Sequence, residues 1–170
     1  SIGFDAVTNR VSNFYSLFAA AVKARDLSMY VTLYGDTYYR VRAYDVAHIG
    51  SLADKVLIMA YDFHKARGNP GPNFPLRGKE KYGYDFVQMV SDFQKDLPTR
   101  KISVVFGMFG YDWRVDRDAE SIGVGRAASY LKAKQSFIDS CSYTDCQWRK
   151  DTLSAETRVE YVDAEGVTHI

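Results

Sequence analysis

The chemistry in this chain concentrates at Tyr61-Asp62, which close the apolar run Val56-Leu57-Ile58-Met59-Ala60 and precede the turn-rich stretch Gly68 to Pro75. A phenol and a carboxylate at the C-terminal end of a buried strand stand where parallel α/β folds build their sites. The same two residues also read as a strand-end pair that caps the following loop. The remaining reactive groups are dispersed. Cys141 and Cys146 lie close in sequence, but His48, His64 and His169 are far apart, so no zinc spacing emerges and no metal is expected. The two cysteines fit either a local disulfide, as in a secreted protein, or two free thiols. His64 follows the Tyr-Asp pair closely enough to touch a ligand, but reads more readily as a plain loop histidine. Gly123-Val124-Gly125-Arg126-Ala127-Ala128 matches a dinucleotide-binding pattern on paper, but it follows a charged loop and not a strand. It reads as a helix start, and no cofactor is expected.

Alternating strands and helices must hold the pair in place. Ile2 to Val7 reads as a short strand. Val11 to Ala24 reads as a helix with Val11, Phe14, Tyr15, Phe18, Ala21 and Val22 on one face. Met29 to Tyr34 is a second strand ending at Gly35-Asp36, and Tyr44 to Leu52 a short helical segment. Val56 to Tyr61 is a third strand. Gly83 to Leu97 is an amphipathic helix with Phe86, Val90, Phe93 and Leu97 inward, stopped by Pro98. Ile102 to Phe109 is a fourth strand, and a last helix is expected from about Gly125 to Asp139. Arg158 to Val162 and Val167 to Ile170 pair as a hairpin about Asp163-Ala164-Glu165-Gly166. Four strands alternating with helices predict a parallel α/β sheet with right-handed crossovers, and with no linker in sight residues 1–170 read as a single domain.

Composition narrows the partner. Net charge is +1 and both signs are scattered, so no footprint for nucleic acid or anionic lipid exists. The longest apolar run falls far below the ~18–20 residues of a membrane span. Tyrosine and phenylalanine are abundant, which reads first as an aromatic core and also suits sugar faces packed on rings. With 170 residues the chain is shorter than the ~250 of a full (β/α)8 barrel. It lacks an initiator methionine and a leader, so the native N-terminus is expected to lie outside it.

Met59-Ala60-Tyr61-Asp62 followed by Gly68-Asn69-Pro70-Gly71-Pro72 and Pro75-Leu76 resembles the sixth strand and following loop of family 18 glycoside hydrolases, the chitinase-like (β/α)8 barrels. Lys101 to Trp113 is similar to the seventh strand of spore-coat-type members, which ends Pro-x-Tyr-Gly-Tyr-Asp-Trp, with Gly107 and Phe109 here in place of the proline and first tyrosine. Gln147-Trp148 and Tyr161-x-Asp163-x-x-Gly166-x-x-His169 resemble the segment before the eighth strand. Ile2-Gly3-Phe4-Asp5-Ala6-Val7 resembles the close of the fourth strand, Ile-Asp-Phe-Glu in active members, with Gly3 for the aspartate and Asp5 for the glutamate acid.

The resemblance implies a partial TIM-type barrel running from roughly strand 4 to just before strand 8. Such a piece would expose unpaired strand edges and pair with another copy or with further chain. It implies recognition of β-1,4-linked N-acetylglucosamine polymers, chitin or peptidoglycan glycan, and a secreted, periplasmic or cell-envelope setting. Hydrolysis in the family is substrate-assisted, the N-acetyl carbonyl acting as nucleophile, an exception to the two-carboxylate rule. Tyr61 would hold the acetamido oxygen, Asp62 would orient the sugar and Asp5 would stand as the acid. Met59, Phe109, Trp113 and Trp148 would contact substrate, with core or rim packing the alternative for both tryptophans and packing the first reading of Phe109 on its residue type. Asp5 is one methylene shorter than glutamate, a retreat of about 1.5 Å, and displacement near 1 Å costs ~100-fold. Gly3 removes the like charge that would help keep an acid protonated. Both departures favour a catalytically silent, lectin-like relative. An unrelated doubly wound domain is disfavoured because no phosphate-binding loop or acidic pocket is evident.

Overall fold

The computed structural model describes residues 3–170. In chain order it contains α1 (Phe4–Lys23), β1 (Tyr30–Tyr34), α2 (Val46–Leu52), β2 (Lys55–Ala60), α3 (Lys79–Tyr82), α4 (Phe86–Asp96), β3 (Ile102–Phe106), β4 (Phe109–Asp112), β5 (Arg114–Val115), β6 (Arg126–Ser129), α5 (Tyr130–Ala133), a π-helical turn (Lys134–Ile138), β7 (Thr144–Lys150), β8 (Thr157–Val162) and β9 (Thr168–His169). These form two compact units, the first comprising Ser1–Ala60 and Val87–Phe106, the second Tyr61–Phe86 and Gly107–Ile170.

The first unit is built on a parallel three-stranded sheet in the order β1-β2-β3. Val31 pairs with Val56 and Leu33 with Ile58, while Val56 and Ile58 pair in turn with Ile102 and Val104. The alternation along β1 and β2 buries Val31, Leu33, Val56, Ile58 and Ala60, and Ile49 of α2 and Met89 and Phe93 of α4 are buried as well. Asp45 caps α2, its carboxylate accepting from the His48 N–H at 2.8 Å, which satisfies one of the helix's orphan donors. β1 and β3 each pair only with β2 among the described residues, so the sheet has two edges.

The sequence predicts a strand over Ile2 to Val7, but α1 already runs from Phe4, with Ser1 and Ile2 outside the described residues. Asp5 sits in the first turn and Lys23 in the last, each sign matched to the helix macrodipole. No glycine or proline interrupts the run from Phe4 to Lys23, so the helical pattern read from Val11 extends backward over the apparent strand. Its inward face also differs from the expected one. Ala19 is the buried position, whereas Phe14, Leu17 and Phe18 are about half exposed or more. Among the described residues three parallel strands are therefore present where four were expected.

The second unit is antiparallel. β4 pairs with β6, and a four-stranded sheet has the order β5-β9-β8-β7. The expected strand over Ile102 to Phe109 breaks at Gly107-Met108, with β3 before the break and β4 after it in a different sheet. The expected helix from Gly125 to Asp139 is also corrected. Arg126 to Ser129 is extended and pairs with Asp112 to Phe109. Helix begins only at Tyr130, where the Ser129 hydroxyl accepts from Lys132 N–H, and widens into the π turn. Leu131 on this segment is exposed, so its apolar spacing marked no core. The reading of Gly123 to Ala128 as a helix start falls with it, because this stretch leads into β6. The hairpin about residues 163–166 forms as expected, with Tyr161 opposite His169 and Val162 opposite Thr168.

The loop after the Tyr61-Asp62 pair is fastened to this sheet. Leu76 N–H and Arg77 N–H donate to the carbonyls of Ser154 and Leu153, each at 3.0 Å. Phe63 stacks on Tyr84 at 5.4 Å and meets the Phe74 ring edge-on at 4.9 Å, giving the loop its own aromatic core. Cys141 and Cys146 are joined by a disulfide.

Candidate functional site

The site begins at the backbone of Asp62. Its φ is +62°, left-handed for a residue that has a Cβ, a conformation costing on the order of 1–3 kcal/mol unless its surroundings impose it. Here they do. Asp62 N–H donates to Asn73 Oδ1 at 2.7 Å, and Asn73 Nδ2–H donates to the Phe109 carbonyl at 2.9 Å. Asn73 is itself fixed from behind, because its N–H donates to Glu156 Oε2 at 2.8 Å while Phe74 N–H donates to Glu156 Oε1 at 2.7 Å. Burial pushes the Glu156 carboxyl upward while these two N–H donors pull the other way.

The Asp62 side chain is aimed by Tyr111, whose hydroxyl donates to Oδ1 at 2.6 Å. The Tyr111 phenol is pushed up to about 12, first by burial, then by its bond to Asp62 and by that carboxylate's charge. Tyr111 therefore stays a donor across the physiological range. Phe109, Tyr111 and Trp113 alternate along one stretch of chain and share a face. Phe109 meets Tyr111 edge-on at 5.6 Å, Tyr111 lies 5.5 Å from Trp113, and Tyr61 meets Phe109 at 5.8 Å. This aromatic row carries the carboxylate of Asp62 at its middle.

Two glycines permit the row. A Cβ on Gly107 would lie 2.9 Å from Tyr61 Cβ and 2.6 Å from the Phe109 ring. A Cβ on Gly125 would lie 2.6 Å from the Trp113 indole, so only glycine lets that segment close over the ring. Beside Tyr111 lies a cavity of about 340 Å³, walled in part by Pro72, Tyr82, Trp113, Phe137, Glu156 and Tyr161.

Tyr61, Asp62 and Phe109 thus come together in the second unit. Trp113 is buried, with no partner for its indole N–H among the described residues. Trp148 is 60 % exposed on β7, and Met59, half-buried, is on β2 in the first unit. Asp5 is exposed in the first turn of α1, also in the first unit. Sequence reasoning missed Tyr111, Asn73 and Glu156 as members of the site. Asn73 had a usable signal, an asparagine between two prolines, where side-chain bonds to backbone set turns. Glu156 had none, since its partners lie 83 and 82 residues away. Among the described residues no group of His, Cys, Asp and Glu could hold a metal, and no helix is long and apolar enough to cross a membrane.

Tyr61 and Asp62 directly follow β2 in the chain, and Asp62 is held by Asn73 of the glycine-proline loop and by Tyr111 of β4. The sequence profile of the glycosyl hydrolases family 18 matches residues 5–169, and the chain belongs to that family. Its relatives make the assignment more particular. It is 28% identical over 130 residues to the "Putative sporulation-specific glycosylase YdhD" of Bacillus subtilis (strain 168), covering 76% of this chain and 28% of that protein. The crystal structure of YdhD superposes with a TM-score of 0.80 at 22% identity, over 97% of this chain and 52% of that one. A chitinase from Chromobacterium violaceum ATCC 12472 gives 0.72 at 26% identity, over 95% and 47% of the two chains. The spore cortex-lytic enzyme SleL of Bacillus megaterium QM B1551 gives 0.76 at 20%, over 97% and 36%. The chain spans half or less of most of these relatives. Its neighbours are family 18 enzymes of the TIM-barrel type, and its own fold is mixed α/β.

Proposed function

We propose that this chain is the part of a family 18 glycosidase-like protein that recognises β-1,4-linked N-acetylglucosamine polymers, chitin or peptidoglycan glycan, through Tyr61 and Asp62. The observation that carries this reading is the over-determined Asp62: a strained backbone tied to Asn73 and a carboxylate aimed by Tyr111. Tyr61 holds the acetamido oxygen of the sugar, and the half-buried Phe109 and Tyr111 rings offer faces to pyranose C–H groups beside the neighbouring cavity, with Trp113 packed beneath them. Trp148, exposed on β7, supplies an outer platform.

In this reading β1, β2 and β3 correspond to strands five, six and seven of a (β/α)8 barrel within one domain. The two sheet edges, together with exposed Phe106, Phe14 and Leu17, fit association with another copy or with further chain. The relatives' spore-related names, the disulfide and the glycan substrate agree on a secreted or cell-envelope setting.

Hydrolysis by the family's route, with the substrate's own N-acetyl carbonyl as nucleophile, needs a protonated acid beside the leaving oxygen. Asp5 is the residue at that position by motif. Its exposure on α1 and the glycine at position 3 favour the second reading, a lectin-like relative that keeps the sugar site without turnover. Incubation with a fluorogenic chitobioside and with chitotetraose, followed by mass analysis, separates the two. Turnover that Asp5→Asn abolishes establishes the hydrolase. Binding without products establishes the lectin-like protein, and neither binding nor turnover at millimolar sugar rejects both.

A further inference from the structure

A second cluster of titratable groups lies one residue beyond Tyr111. Asp112 Oδ1 is 2.8 Å from His169 Nδ1, and Asp163 Oδ2 is 3.1 Å from His169 Nε2. The Tyr161 hydroxyl donates to Asp112 Oδ2 at 3.0 Å and also lies 3.1 Å from His169 Nδ1, and its ring stacks on the imidazole at 4.7 Å. The histidine side chain is 12 % exposed. An imidazole with a carboxylate oxygen at each nitrogen satisfies both only when both nitrogens carry a proton. The neutral ring has one N–H and turns a lone pair on the other carboxylate.

The cluster bears on the site through a short covalent path. Asp112 follows Tyr111 in β4, and the next residue, Trp113, exchanges both backbone bonds with Ile170 at 2.8 and 2.9 Å, directly after His169. β9 is thus joined to the end of β4 by the backbone at residues 113 and 170 and by side chains at residues 112 and 169. Among the described residues, Asp112 faces the ring from β4, Asp163 from the hairpin turn, and Tyr161 from β8, with the Tyr143 ring tilted against Tyr161 at 4.3 Å. From β5 comes Arg114, the cross-strand partner of His169, whose guanidinium is held by Glu165 at 3.1 Å. The Asp163 carboxyl is held below its ordinary range, foremost by the Val167 N–H, so it remains an anion where histidine titrates. Burial and the Asp112 charge push the Tyr161 phenol well above the tyrosine range, so it remains a donor there.

We propose that His169 is a positioning residue for the sugar site: protonated, it clamps Asp112 to Asp163 and so seats Tyr111 on Asp62, and losing that proton loosens the seat. The sugar link rests on the function proposed above, whereas the clamp itself is a property of the free protein. The sign follows from linkage. If the protonated ring favours the seated Tyr111, sugar binds best at pH below the histidine's titration and more weakly above it, and bound sugar in turn favours the proton.

The test uses protein labelled at the tyrosine Cζ carbons, with the Tyr111 signal assigned by Tyr111→Phe. Over a pH series that spans the loss of the ring proton, the Tyr111 signal is expected to move with the His169 ring signal. His169→Gln is expected to abolish the step, and Asp163→Asn, which keeps the histidine, to shift it to lower pH. In parallel, chitotetraose affinity falls roughly fivefold or more across that range in the unsubstituted protein and is flat in His169→Gln. A Tyr111 signal that ignores the His169 titration overturns the proposal, as does an unchanged step in His169→Gln. A coupled step in a protein that binds no sugar at any pH upholds the clamp and removes the sugar reading instead.

Discussion

Replacing Gly107 by alanine tests whether the aromatic row depends on close approach at this point. The added Cβ would lie 2.9 Å from Tyr61 Cβ and 2.6 Å from Phe109 Cε1, with Phe109 Cδ1 at 3.1 Å. Carbon pairs settle at about 3.5–4.0 Å, so Tyr61 must retreat by about 0.6 Å and the Phe109 ring by about 1 Å. The phenyl ring can swing, but Tyr61 Cβ is one bond from the backbone and can move only with its chain. Overpacking of this kind costs ~1–3 kcal/mol in stability. Displacement of a positioning group by about 1 Å costs up to ~100-fold in a reaction that depends on it. We therefore expect Gly107→Ala to unfold at lower urea and to bind chitotetraose at least about tenfold more weakly, equivalent to 1.4 kcal/mol. Gly110 supplies the control within β4, because a Cβ there meets nothing within 4 Å. Its alanine variant is expected to be neutral or more stable by about 0.4–1 kcal/mol, through the unfolded chain. Urea titration and calorimetry on both variants decide the matter. A Gly107→Ala protein that matches Gly110→Ala in both measurements would refute the argument.

Three further predictions concern the groups around the row. Tyr111, pushed up to about 12, contributes stability that is complete below the usual tyrosine value of 10.0 and lost as pH rises through about 12. The absorbance change missing from Tyr111→Phe should therefore appear near 12, and Asp62→Asn should lower it only in part because burial is the leading cause; ionisation near 10 would contradict the bond to Asp62. The Asp151 carboxyl is held below its ordinary 3.8, foremost by the Tyr82 hydroxyl and then by the Ser154 N–H. Its stabilisation is present above that value and lost as pH falls below it, so unfolding midpoints between pH 5 and 2 should drop less in Asp151→Asn than in the unsubstituted protein. Cys141→Ser opens a loop of sequence separation 5 and should cost about 2 kcal/mol on the chain-entropy account, read by urea unfolding.

What the sequence disclosed divides along physical lines. Buried parallel strands carry continuous or alternating apolar runs, so β1, β2 and the first half of Ile102 to Phe109 were legible, as was the helix stopped by Pro98. The opening segment misled because six residues cannot distinguish alternation from one helical turn and a half, and no breaker separated Phe4 from the helix beyond it. Arg126 to Ser129 misled differently, since this stretch before the helix pairs with β4 and carries no breaker to mark the change. The disulfide was an open alternative on two cysteines alone. Within the site, Tyr61 and Asp62 were visible because a strand end and a turn-rich loop flank them. Glu156 was not, because its role consists of accepting two backbone N–H bonds from a distant loop, and such bonds leave no trace in residue type. The substitution of Gly107 for the family's proline looked like a departure. The structure gives it a reason, as it stands where Tyr61 and Phe109 leave no room for a side chain.

The most direct test of the account is calorimetric titration of this chain with chitotetraose, alongside Tyr61→Phe and Asp62→Ala. The account predicts binding that both substitutions weaken, since one removes the phenol that holds the acetamido group and the other the carboxylate that Tyr111 aims. Binding unaffected by both substitutions, or none at millimolar sugar, would contradict the assignment of Tyr61 and Asp62 as the saccharide site.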